Sequence, residues 1–185
     1  MHSPGPPEDE RNSLVRLKAG DPEAFGEFFR KHQPGILNYV YRLSGGNRSL
    51  AEDVSQQVFM SFWSHRLEFD LERPLVPLLL TMARNAWVNA AKREEYRKTS
   101  PLLETAAESP PAATGRALEQ QELERAVERA LGKLEPPVRE VFILSRYQGL
   151  KYSEIAGVLG ISVKTVEARL SRALQELHTH LKDFL

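Results

Sequence analysis

Residues 152–177, YSEIAGVLGISVKTVEARLSRALQEL, constrain the fold more tightly than any other stretch of this chain. Apolar residues recur there at helical spacing on both sides of a glycine. In the first half Ile155, Ala156 and Leu159 share a face, Ser153 can cap, and Glu154 sits in the first turn, where a carboxylate favours the positive helix end. Gly160 supplies the residue without a Cβ that a sharp turn needs. Ser162 can cap a second helix whose stripe is Val166, Leu170, Ala173, Leu174 and Leu177. Lys164, Thr165, Glu167, Arg169, Ser171 and Arg172 fall between these positions and are expected to face outward. Two short helices crossing closely at such a turn form a helix-turn-helix, whose second helix enters the major groove of DNA. An ordinary helical hairpin with a solvated face has the same pattern, so the rest of the chain must decide.

Any basic surface has to be local, because Lys plus Arg and Asp plus Glu balance at 25 each. Hydrophobic residues make up 41% of the 185, enough for real cores in one domain or two small ones. The absence of cysteine excludes disulfides, thiolate metal sites and a cysteine nucleophile. No apolar run approaches the roughly 20 residues that span a bilayer. The acidic, Pro-rich start, residues 1–10, lacks the basic and apolar parts of a signal peptide and reads as a disordered tail on a cytoplasmic protein.

The remaining pattern is helical throughout, with no strand alternation. A short helix begins near Asn12 and stops at Gly20. Asp21-Pro22 starts another, with Phe25, Phe28 and Phe29 inward, and Ile36, Leu37, Val40 and Leu43 define the next. Ser49 and Glu52 read as a capping box before a helix carrying Val54, Val58, Phe59 and Phe62 inward. Residues 68–77 read as a loop, and a long helix from Leu78 to about Lys98 follows. Residues 99–117, rich in Pro, Ala, Ser and Thr, read as a flexible linker. Helices return before Pro136-Pro137, which ends one and begins another. The expected fold is all-α, with two small helical domains, 11–98 and 118–185, and the helix-turn-helix in the second.

Five stretches in this order resemble the extracytoplasmic-function sigma factors of the bacterial sigma-70 family. They are DPEAF from Asp21, AEDVSQQVFMSFW from Ala51, TMARNAWVNAAKR from Thr81, PPVREVFILSRYQGLKYSEIA from Pro136, and SVKTVEARLSRAL from Ser162. The resemblance implies a subunit that binds the RNA polymerase core, recognises the minus-ten and minus-thirty-five promoter elements, and promotes DNA melting. Its implied partners are core polymerase, double-stranded promoter DNA, the melted single strand and an anti-sigma factor. The polar face of Asp53, Gln56 and Gln57, with Phe59 and Trp63 nearby, is then the core-binding surface. Arg84, Asn85, Asn89, Lys92, Arg93 and Arg97 are the minus-ten residues. Ser162, Lys164, Thr165, Glu167, Arg169 and Arg172 are the minus-thirty-five residues. Three departures stand out: Gln57 where the family commonly has Glu, Asn89 where Asp is common, and Leu78-Leu79-Leu80 in place of aromatics.

The rival reading is a helix-turn-helix regulator with an N-terminal sensing domain. It accounts for residues 118–185 but not for the Asp53 helix or the basic continuation after Asn85. An enzyme is the weakest reading. His2, His32, His65, His178 and His180 have no metal-binding spacing, and no phosphate-cradling glycine loop or nucleophile elbow is present. No cofactor or metal is implied.

Overall fold

The computed structural model describes residues 8–70, 73–98 and 116–182. Among these the chain forms eight α-helices and no strand: α1 (Glu8–Lys18), α2 (Pro22–Leu43), α3 (Arg48–Ser64), α4 (Leu75–Lys98), α5 (Arg116–Lys133), α6 (Pro136–Arg146), α7 (Tyr152–Leu159) and α8 (Val163–His180). The chain divides into two compact units. One holds α1, α2 as far as Val40, α3 and α4, and the other holds residues 41–47 and α5 to α8. The tail expected over residues 1–10 is already helical from Glu8, and residues 1–7 lie outside the described ones. The linker expected over 99–117 lies outside them as far as residue 115, and α5 begins at Arg116.

In the first unit, Asp21 starts α2 by accepting the backbone N–H of Glu23 at 2.9 Å and of Ala24 at 3.3 Å. The two helices expected between Pro22 and Leu43 are one, running through Pro34. An interior proline costs about 3 kcal/mol. Both sides of Pro34 bury apolar residues, Ala24 and Phe28 before it and Ile36, Tyr39 and Val40 after it. At about 1.5–3 kcal/mol for each large side chain, that burial outweighs the lost hydrogen bond.

Helix α3 begins at Arg48, so Ser49 lies inside it and the expected capping box is absent. Glu52 pairs instead with Arg48 Nε at 2.8 Å, a helical i,i+4 pair. The buried side of α3 is Ala51, Val54, Ser55, Val58, Phe59 and Phe62, and its main packing partner is α4. Rings knit this unit together: Phe62 lies between Phe28 at 4.7 Å and Phe69 at 4.5 Å, nearly parallel to both. Helix α4 starts at Leu75, three residues earlier than expected, because Pro77 is tolerated in a first turn. Leu75, Leu79, Leu80 and Ala83 form its buried side, which makes Leu80 a core residue.

In the second unit α8 packs on α6, α7 and α5. Ala130, Leu131 and Leu134 of α5 meet Val138 of α6 and Ala173 and Leu177 of α8. Val141, Ile143 and Leu144 of α6, Ile155 and Val158 of α7, and Val166 and Leu170 of α8 are also buried. Two apolar expectations shift. Val158, not Leu159, is the buried partner of Ile155, and Leu174 is 42% exposed.

Candidate functional site

Three exposed helix faces carry the residues singled out from the sequence. On α3, Asp53, Gln56 and Gln57 stand outward, directly opposite the buried stripe. They line a shallow open concavity together with Met60, Ser61, Ser64 and His65. The floor is fixed by short-range bonds: the Ser64 hydroxyl donates to the Met60 carbonyl at 3.0 Å, and His65 Nδ1 lies 2.8 Å from the Ser61 carbonyl. Met60 is 63% exposed and supplies the apolar centre of this otherwise polar face. It lies seven residues beyond Asp53, in register with Gln56 and Gln57, so the 3.6-residue period alone could have found it.

Phe59 and Trp63 do not join this face. Phe59 is 2% exposed and meets Phe29 and Phe28 edge-on at 4.8 and 6.1 Å, so it belongs to the core and is not available to a partner. Trp63 is half-buried, with Phe25 at 4.7 Å and the Arg66 guanidinium over its ring at 4.4 Å. Adjacent sequence positions put these rings beside Gln56 and Met60, but the helix turns them toward α2.

On α4, Asn85, Asn89, Lys92 and Arg93 are exposed. Their spacing of four, then three or four, places them along one stripe. Arg84 is half-buried beside it. The Arg97 side chain lies outside the described ones.

The α7–turn–α8 unit is built by three local devices. Glu154 accepts the Lys151 N–H at 2.8 Å, so Lys151 occupies the N-cap position and Ser153 does not cap. Gly160 closes α7 in the left-handed conformation, φ 65°, ψ 36°. Ser162 caps α8, its hydroxyl accepting the Thr165 N–H at 3.1 Å and lying 2.8 Å from the Thr165 hydroxyl. These two hydroxyls are therefore engaged in holding the start of α8. Lys164, Glu167, Ala168, Ser171 and Arg172 form its exposed face, while Arg169 is half-buried at the edge. At about 100° per residue, Glu167 and Arg169 lie on opposite flanks of α8.

Arg172 is already engaged. Its two terminal nitrogens donate to both oxygens of Glu135 at 3.0 and 2.8 Å, and Nε donates to Glu176 at 2.6 Å. The hydrogen bond from Arg172 holds the Glu135 carboxyl below the usual carboxylate range, and Glu135 in turn raises the Arg172 guanidinium. No group of His, Cys, Asp and Glu placed to hold a metal ion occurs among the described residues.

Comparison with known proteins covers both units. Residues 28–97 match the family model for sigma-70 region 2, and residues 124–177 match that for sigma-70, region 4. The chain is 26% identical over 182 residues to the ECF RNA polymerase sigma factor SigW of Bacillus subtilis, covering 94% of this chain and 97% of that one. Among solved structures it is similar to CnrH bound to the cytosolic domain of CnrY, with 30% identity, 94% and 97% coverage and a TM-score of 0.69. It is also similar to the sigma factor RpoE bound to the anti-sigma factor NepR from Bartonella quintana, with 26% identity, 85% and 96% coverage and a TM-score of 0.69.

Proposed function

This chain belongs to the extracytoplasmic-function group of the sigma-70 family, and from that premise we propose how its exposed faces divide the work of transcription initiation. The α3 face of Asp53, Gln56, Gln57 and Met60 binds core polymerase. The observation that carries this assignment is the exposed Met60 at the centre of a ring of amides and a carboxylate. A flexible apolar anchor rimmed by hydrogen-bonding groups is the composition of an interface hot spot.

The stripe of Asn85, Asn89, Lys92 and Arg93 meets the minus-ten element. The two basic residues suit phosphates, and the two amides can pair with the edge of a base turned out of the stack. Helix α8 enters the major groove at the minus-thirty-five element by its N-terminal half. Lys164 reaches phosphate, and Glu167 and Arg169 flank the base edges from the two sides. The chemistry of nucleotide addition belongs to the polymerase, and this chain contributes binding energy. Among the described residues no helix is long and apolar enough to cross a membrane, which fits action in the cytoplasm where the polymerase works. The two solved relatives, one bound to CnrY and one to an anti-sigma factor, support an anti-sigma partner for this chain as well.

The test is a titration of fluorescently labelled core polymerase with the full chain. Met60→Asp places a charge at the apolar centre and is expected to weaken binding about tenfold or more, with the helical signal unchanged. Undiminished binding by Met60→Asp would move the core-binding surface off this face.

A further inference from the structure

Glu135 has no role in the assignments above, yet its carboxylate makes a bidentate contact with Arg172 of α8. It occupies the N-cap position of α6, ahead of Pro136 and Pro137 in the first helical positions, and its side chain does not cap that helix. Its backbone carbonyl is fixed, accepting from Val138 and Arg139, each at 2.9 Å. The Glu135 backbone is therefore held at the α5–α6 corner, and the fork with Arg172 turns its carboxylate toward α8. Arg172 meets it as a fork and spends its remaining edge on Glu176, one turn further along α8.

We propose that Glu135 is a positioning residue for the recognition helix: with Glu176 it retains Arg172 as a strut from α8 to the α5–α6 corner, and so keeps that arginine from serving as a phosphate contact. The inference rests on the reading of α8 as the DNA-binding helix. Charge decides between strut and contact. One guanidinium set between two carboxylates leaves a net charge of minus one, so a phosphate approaching Arg172 meets repulsion. Releasing the arginine to DNA would leave both carboxylates facing the backbone. The cluster thus marks where the DNA-facing part of α8 ends, and the strut braces the side of α8 next to the Val138–Ala173–Leu177 packing. Exposed ion pairs contribute little singly, but a bidentate pair extended into a network is the exception.

The experiment measures holoenzyme binding, across a salt series, to a promoter located by mapping transcription start sites. Circular dichroism checks that each variant is folded at the assay temperature. Arg172→Ala and Glu135→Gln are each expected to weaken binding about two- to fivefold at every salt concentration, with the slope of log K against log salt unchanged. Arg172→Lys should behave like Arg172→Ala, because an ammonium cannot span both carboxylates in this geometry. The double variant should bind no worse than either single one. A phosphate contact gives the opposite pattern: Arg172→Ala makes the slope shallower by about one unit, Arg172→Lys retains binding, and Glu135→Gln tightens it. That pattern, or no effect of any of these variants, would overturn the proposal alone. Lys164→Ala is the control, expected to make the slope shallower by about one unit. If it changes nothing, the reading of α8 itself fails and the proposal falls with it.

Discussion

Asp21 has two roles at the corner between α1 and α2. One oxygen receives the first free N–H groups of α2, and the other takes the Arg16 Nε–H at 2.8 Å. The hydrogen bond from Arg16 holds the Asp21 carboxyl below its ordinary value, opposed by burial and aided by the N–H groups of Ala24 and Glu23. A lowered folded value stabilises the protein above the unfolded value of about 3.9, and the contribution fades as pH falls through the lower folded value. Urea unfolding followed from pH 6 to pH 3 should therefore show the midpoint falling at the acid end. Asp21→Asn keeps an oxygen for the cap and should flatten that part of the profile; an unchanged profile would mean the carboxylate is not linked to folding. Asp53 is a contrasting residue, exposed on α3 with the core behind it. Asp53→Ala should shift stability by no more than about 0.5 kcal/mol while weakening association with core polymerase. A variant that unfolds, yet binds normally when folded, would make Asp53 a structural residue.

The helix-turn-helix depends on one backbone conformation. At Gly160 φ is +65°, and an added Cβ would meet nothing within 4 Å, so a side chain there costs conformational energy rather than a clash. Gly160→Ala should destabilise the second unit by about 1–2 kcal/mol in chemical denaturation, and Gly160→Asn by less, because asparagine visits the left-handed region more readily. Equal costs for the two would point to a cause other than the turn. Gly160 and Ser162 were legible in the sequence because turn and cap chemistry are local. Other features were settled by neighbours that a single stretch does not reveal. The continuity of α2 through Pro34 rests on burial on both sides of it, and Pro77 sits in a first turn that forgives it. Ser49 and Ser153 had the right residue type for caps, but the helices begin one residue ahead of them. Leu159 and Leu174 show the limit of periodicity, which identifies a stripe but leaves its edges open. Tertiary contacts then decided that Val158 takes the place of Leu159 and that Leu174 faces solvent, whereas Phe59 is in the core where the stripe put it. The tie from Arg172 to Glu135, 37 positions away, left no trace in the local pattern.

For the whole molecule, the balance of charge matters as much as any one face. With 25 basic and 25 acidic residues the chain has no general positive field, so promoter binding relies on a few local cations and on the polymerase. The two units are expected to fail separately. A chain altered at Met60 or Asp53 should load onto core more weakly, and excess protein should restore transcription. A chain altered at Lys164 or Arg169 should load normally and stay defective at the promoter however much is added, with Arg169→Ala costing about 1–3 kcal/mol in promoter binding. The most direct measurement of the central claim is transcription in vitro from fragmented DNA of the source genome, using core polymerase freed of every other sigma factor. Transcripts with discrete start sites are expected only when this chain is added. No specific initiation with core, together with altered output when the chain is added to a complete holoenzyme, would contradict that claim and identify a regulator instead.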